Sequence, residues 1–215
     1  MKTQISGALL FAALMMAALT VPSVLVGVAA AAGLAGESVD TPPREANGKL
    51  PSKTARDIEL DQLFVQLSVA KTPDDAKEVE KAIWARWNKS GSISVDLLMS
   101  RGVHALSEGD VDVALTFFDE VVDLAPGYAE GWSKRATVHF LKDDYSAALS
   151  DIEATLALEP RHFGAIGGLA LVLEDLGDKE GARDAYRRVL KVYPWLEGAV
   201  DAENRLTVEI DGRGI

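Results

Sequence analysis

Three stretches decide the fold: residues 110–128, DVDVALTFFDEVVDLAPGY, residues 144–162, DYSAALSDIEATLALEPRH, and residues 178–196, DKEGARDAYRRVLKVYPWL. Laid over one another at a step of 34 residues, they align in columns. Asp110, Asp144 and Asp178 open each stretch, and Ala114, Ala148 and Ala182 follow. Phe118, Ile152 and Tyr186 come next, then Leu124, Leu158 and Val192, and Pro126, Pro160 and Pro194 close the unit. The residues just upstream keep the same step, with Leu98, Trp132 and Ile166 in one column and Gly102, Ala136 and Ala170 in another. A fixed period of this length marks a repeat architecture in which stacked units share one core.

Each column has a physical reason. The two small-residue columns let the two helices of a unit approach closely, and the apolar column at 98, 132 and 166 fills the gap beside them. The aspartates stand just before the second helix, where a side-chain oxygen can take up unpaired N–H groups and complement the helix dipole. Proline cannot continue the second helix and turns the chain toward the next unit.

A 34-residue helix–turn–helix unit with this pattern resembles the tetratricopeptide repeat. In that family's register the units run 95–128, 129–162 and 163–196. The first keeps Gly102, Ala114, Phe118 and Pro126, the second Trp132, Ala148 and Pro160, and the third Leu169, Ala182 and Pro194. The family's first-helix tyrosine is replaced by Ala105, His139 and Leu173. The resemblance implies an all-α fold, a right-handed α-solenoid of helical hairpins.

Outward from the repeats, residues 57–94 follow the template loosely. Leu60, Leu63, Phe64 and Leu67 form one apolar stripe, and Ala76, Val79, Ile83 and Trp87 a second. Lys71 to Asp75 reads as the turn between them, with Thr72 or Asp74 as cap. This is a divergent first repeat or a helical hairpin packing on the stack. Residues 197–215 hold a capping helix and a tail. Leu196, Ala199, Val200, Leu206 and Ile210 form its apolar face, and Glu197, Asp201, Glu203, Asn204 and Arg205 shield the last repeat from water.

The N-terminus is an address. Lys2 is the only charge before Glu37, the run Gly7 to Leu19 is apolar, and Ala29 to Ala32 supply small residues for cleavage. Residues 1–32 therefore read as a secretory signal, with an uncleaved inner-membrane anchor through residues 5–32 as the alternative. Either way the body is expected outside the cytoplasm, in the periplasm of a bacterium that has one. Residues 33–56, with Gly33, Gly36, Pro42, Pro43, Gly48 and Pro51, read as a flexible linker.

Composition bounds the chemistry. The 215 residues are 48% hydrophobic and 26% charged, which excludes wholesale disorder, and the absence of cysteine excludes disulfides and thiolate metal sites. The net charge of −11 becomes −12 once residues 1–32 take one lysine away, which disfavours nucleic acid and anionic lipid as partners. His104, His139 and His162 never stand three or four apart, so no helical ligand pair arises. Asp110-Val111-Asp112-Val113 lacks the third oxygen ligand of a calcium loop, and Gly164-Ala165-Ile166-Gly167-Gly168 lacks the lysine of a phosphate loop. No catalytic, cofactor or metal residues are assigned, and the chain is read as non-catalytic.

The resemblance places function on the inner surface, lined by the first helix of each unit. In that register it holds Met99, Val103 and Leu106 from the first unit, with Asp96 beside them. Thr137, Phe140 and Leu141 follow from the second, with Glu130 and Ser133, and Gly164, Gly167 and Leu171 from the third, with Glu174 and Asp175. This set suits an extended or helical peptide of a protein partner; the same residues would equally pack between neighbouring repeats. Family members that clamp acidic chaperone C-termini place Lys, Asn and Arg where this chain has Met99, Val103, Lys134, Gly164 and Gly168. One basic residue survives, so that clamp is not expected. The expected role is an exported scaffold or assembly factor for envelope proteins, or else an accessory subunit of an envelope enzyme complex, with no membrane binding by the folded part.

Overall fold

The computed structural model describes residues 54–212. The residues read as a signal or anchor, nearly all of those read as a linker, and the last three residues lie outside the described residues. Nine helices and no strands are present among the described residues: α1 (Ala55–Ser68), α2 (Pro73–Trp87), α3 (Ile93–Glu108), α4 (Val111–Leu124), α5 (Ala129–Leu141), α6 (Tyr145–Leu158), α7 (Phe163–Asp175), α8 (Lys179–Val192) and α9 (Ala199–Asp211). Three consecutive hairpins, α3–α4, α5–α6 and α7–α8, stack in chain order as a helical solenoid, and α9 covers the end of the stack along α8.

The repeated columns supply the packing. Ala114, Ala136, Ala148, Ala170 and Ala182 are all fully buried, and so are Phe118, Ile152 and Ile166. A Cβ added to Gly102 would stand 2.6 Å from the ring of Phe118, so α3 and α4 cross where one side chain shrinks to a hydrogen. Between units, the same relation recurs at Gly131, whose added Cβ would meet Val121 at 2.7 Å. Trp132 departs from its gap-filling expectation. It is half-buried, donates from Nε1 to Pro126 O at 2.9 Å, and lies under the Arg135 guanidinium at 4.8 Å.

Helix ends follow the same period, with one exception. Asp144 and Asp178 accept from the backbone N–H groups of Ala147 and Gly181 at 3.1 and 2.9 Å. Asp110 makes no such bond, so the cap expected there is missing. A second column closes every first helix. Gly109, Asp143 and Gly177 all have positive φ, and the following N–H bonds back to Ala105, His139 and Leu173 at 2.9 Å in each case. This left-handed stop favours glycine, and Asp143 holds it with a side chain.

At the N-terminus α1 starts at Ala55, inside the stretch read as linker, because Thr54 and Asp57 cap each other reciprocally. Thr72 caps α2 by accepting from Asp75. At the other end, α9 buries Ala199, Ala202 and Leu206, while Val200, expected on the same face, is exposed. Spacings of three and four residues put Ala202 rather than Val200 in line with Ala199 and Leu206. Salt bridges from Lys179 to Glu209 and from Arg187 to Glu203, at 2.9 and 2.7 Å, run along the seam with α8.

The α1–α2 hairpin does not prolong the stack. α2 and α3, though consecutive, scarcely touch. The face of α3 that would receive a preceding unit carries Leu97 and His104, both exposed, where the next two units bury Gly131 and Ala165, and Val138 and Val172. A solvated histidine at this level makes α3 a terminal face. The hairpin instead crosses to the second and third repeats, as its long-range contacts show. Arg161 pairs with Asp61 at 2.7 Å and lies over the Phe64 ring at 4.3 Å, and Trp195 Nε1 donates to Ala70 O at 2.9 Å.

Two substitutions test this account. Ala148→Leu is expected to overpack the middle hairpin and lower stability by about 1–3 kcal/mol, read as a lower urea midpoint. Asp143→Gly is expected to relieve the left-handed position and raise stability by about 0.5–1 kcal/mol, read as a higher midpoint at unchanged slope.

Candidate functional site

The inner-face residues named from the sequence are not solvent-lined. Met99, Leu106, Thr137, Phe140, Gly164, Gly167 and Leu171 are buried, and Val103 and Leu141 are half-buried. They divide between two cores. Met99 and Leu106 sit with Val95, Phe118 and Val121 in the core of the first repeat, with Val103 and Leu141 packed against it. Phe140 and Leu171 belong to the larger core, which also takes in Leu60, Phe64, Leu67, Ile83, Trp84 and Trp87 of the N-terminal hairpin. Ser133 and Glu130 are also buried, whereas Asp96 and Glu174 are half-buried and Asp175 is exposed.

α7 is the centre of this arrangement. Every residue from Phe163 to Val172 is buried except Leu169, which is half-buried. A helix covered on all sides needs no polar stripe, which accounts for the sequence Phe-Gly-Ala-Ile-Gly-Gly-Leu-Ala-Leu-Val.

Beside α7 lies a buried polar cluster that sequence reasoning missed. Glu130, on the first turn of α5, is fully buried. It forms an ion pair with Lys134 one turn on, at 2.9 Å, and its other oxygen lies 2.9 Å from His162 Nε2. His162 is the N-cap of α7, and its Nδ1 accepts from the Ala165 N–H at 3.0 Å. Nδ1 is therefore unprotonated, and the proton on Nε2 donates to Glu130. The sequence placed His162 at the end of a unit and gave it a structural or solvated role. Its partner stands 32 positions away, a spacing that no local motif would reveal.

Tryptophans from α2 cover this cluster. Trp87 stacks on the His162 ring with centroids 4.2 Å apart and planes 7° from parallel. Trp84 meets His162 and Phe163 edge-on at 5.7 and 5.2 Å, and Lys134 Nζ lies 5.4 Å from its centroid. Glu80 accepts from Trp84 Nε1 at 3.1 Å and from Tyr193 OH at 3.0 Å. Burial alone would raise the Glu130 carboxyl's pKa, but the Lys134 charge and the His162 donor outweigh it and hold the group below the ordinary carboxylate range.

A second buried acid, Asp151, takes a two-pronged bond from Arg135 at 2.8 and 2.8 Å, and Arg135 reaches Asp119 at 3.0 Å, tying α4, α5 and α6 together. Both clusters are internally paired. Among the described residues, no three metal-ligating side chains come together.

Comparisons with known proteins agree with this geometry. A tetratricopeptide repeat model matches residues 134–194. A TPR repeat-containing protein of Rhizobium etli is 40% identical over 153 residues, spanning 71% of this chain and 75% of that one. The chain belongs to the tetratricopeptide repeat family. The small glutamine-rich tetratricopeptide repeat-containing protein 2 of Saccharomyces cerevisiae is 28% identical over 119 residues, and the match covers about a third of it (34%). Among solved structures, the first tetratricopeptide domain of Spaghetti, bound to the HSP90 peptide SRMEEVD, aligns with TM-score 0.53 at 21% identity over 54% of this chain and 93% of that domain. MamA protein aligns with TM-score 0.51 at 19% identity over 72% of this chain and 82% of its own. These two likenesses are likenesses of fold. Tetratricopeptide proteins act as protein–protein interaction modules, and this chain shares their architecture.

The buried pair predicts a pH signature. Glu130 has a lowered pKa in the folded chain, so its contribution is complete above the unfolded value of about 4.3 and is lost as pH falls through the folded one. Glu130→Gln, which leaves Lys134 buried without its counter-charge, is expected to cost about 3 kcal/mol at pH 7. The gap between parent and variant should narrow below about pH 4, and urea titrations of both chains at pH 7, 5 and 3 measure it.

Proposed function

We propose that this protein is a non-catalytic interaction module exported to the periplasm, where it holds a peptide or helical segment of an envelope protein as a scaffold or assembly factor. The observation that carries the reading is the solenoid itself. Its inner face is built from α3, α5 and α7, each offering apolar residues one turn apart, and its buried charged groups are committed to one another rather than to chemistry. Export rests on the Lys2, apolar run and Ala29 to Ala32 layout.

The partner differs in kind from an acidic C-terminal peptide. The clamp positions hold Met99, Val103, Lys134, Gly164 and Gly168, and Lys134 is buried against Glu130. A peptide bound along Met99, Val103, Leu106, Thr137, Phe140, Leu141, Gly164, Gly167 and Leu171 reaches them only after the inner face opens, because none of the nine is exposed.

Crosslinking in intact cells followed by mass spectrometry is expected to recover an envelope protein joined to the repeats. Intact-mass measurement of the native protein is expected to give an N-terminus near Ala32 or Gly33. A chain beginning at Met1 in the membrane fraction would replace the signal with the anchor, and crosslinks to cytoplasmic proteins alone would overturn the export reading.

A further inference from the structure

The surface beneath α2 has the makings of a receptor. It is formed by the side of α5 that carries Lys134, the His162 cap of α7, Phe163 and Tyr193, and Lys134 and His162 are held by Glu130. What lies on it is one face of a helix. Trp84 and Trp87 stand three residues apart, Ile83 is buried beside them, and Glu80 stands one turn earlier.

Although Asp61, Ala70 and Glu80 tie its hairpin to Arg161, Trp195 and Tyr193, two observations mark α2 as an occupant that can be exchanged. The first is its attachment. The hairpin reaches the repeats through Asn88-Lys89-Ser90-Gly91-Ser92, a half-buried to exposed segment with Gly91 at φ 91°, and α2 scarcely touches the α3 that follows. The second is an imperfection in its fit. Trp87 is 6% exposed, yet its indole Nε1 has no hydrogen-bond partner among the described residues. A buried donor without an acceptor is destabilising, so an occupant that lacks it or satisfies it would fit better.

From these features we infer that the surface formed by Lys134, His162, Phe163 and Tyr193 is a docking site for an amphipathic helix of a partner protein, and that α2 fills it as an internal stand-in. The partner helix carries two aromatic side chains three residues apart and an acidic residue one turn before them. One aromatic ring stacks on His162, the other lies under Lys134 and against Phe163, and the acid takes the Tyr193 hydroxyl. This inference rests on the protein-binding reading above and specifies the chemistry of the partner. Partner binding and hairpin docking exclude each other at this surface.

The test uses the full chain and a synthetic, fluorescein-labelled peptide of residues 72–88, followed by anisotropy. Trp84→Ala/Trp87→Ala removes the internal anchors and leaves the receptor side untouched. This variant is expected to bind the peptide at least ten-fold more tightly than the parent, whose own α2 competes at high effective concentration. A peptide with both tryptophans replaced by alanine is expected not to bind. Equal affinity for parent and variant, or no binding to a folded variant, overturns the inference.

Far-UV circular dichroism establishes that the variant is folded. If it is not, Asp61→Asn/Glu80→Gln, which loosens the hairpin through its polar ties and keeps every core side chain, takes its place with the same readout. A parent chain that is a dimer by light scattering and becomes monomeric with Trp84→Ala/Trp87→Ala would assign the site to the hairpin of a second copy and overturn the partner. Failure of the envelope crosslinking would remove the envelope partner and leave both the interaction role and this surface standing, whereas failure of the titration would remove the docking site and leave the interaction role standing.

Discussion

Two helices joined by a turn of a few residues can approach each other closely only where side chains shrink at the crossing. Everything else in this chain hangs on that condition. Gly102 beneath Phe118 meets it in the first repeat, and the fully buried Ala136, Ala148, Ala170 and Ala182 meet it in the other two. Because the crossing recurs at the same place in each unit, the units share one shape, and one hairpin seats on the next with its own small residue at Gly131 or Ala165. The stack is thus a close-packed object whose interior tolerates little change in volume.

Close packing also explains where charge resides. An acid inside such a core is stable only with its counter-charge and its hydrogen bonds in place. Glu130 has both, through Lys134 and His162, and Asp151 has both through Arg135. Glu130 joins elements that sequence order keeps apart, since it sits on α5 and bonds to the cap of α7, whereas Asp151 and Asp119 are held by Arg135 across the consecutive helices α4, α5 and α6. These directional bonds tie neighbouring repeats at defined points, Glu130 to His162 between α5 and α7 and Arg135 to Asp119 between α5 and α4.

The repeats were legible in the sequence because identical units impose identical demands at a fixed step. Columns of alanine and proline carry that information without reference to anything distant. The caps were legible for Asp144 and Asp178 and not for Asp110, since residue type permits a cap bond without enforcing it. The two N-terminal helices were legible as well, from apolar residues at helical spacing, but not the surface they cover. Helical periodicity says which face of α2 is apolar and nothing about what meets it. A signal did exist: His104 stands exposed at a level where the later repeats have buried Val138 and Val172, so the first repeat offers no apolar seat for a preceding unit. The inner-face residues were assigned by register, which fixes their place along each helix and not their exposure.

Repeat arrays are close to one-dimensional, with each unit touching only its neighbours, so end units can come away singly and cooperativity weakens with length. Here the first hairpin is fastened to the far part of the chain, through Asp61 to Arg161, Ala70 to Trp195 and Glu80 to Tyr193. Those contacts close loops of about a hundred residues and raise the contact order of an otherwise local topology. Chains whose key contacts are distant in sequence fold more slowly than helical arrays of similar size. The hairpin is made first as the chain emerges from synthesis, and it must wait for the third repeat before its tryptophans are covered. Such a protein spends the interval with a large apolar face uncovered, the state in which a folding chaperone has something to hold.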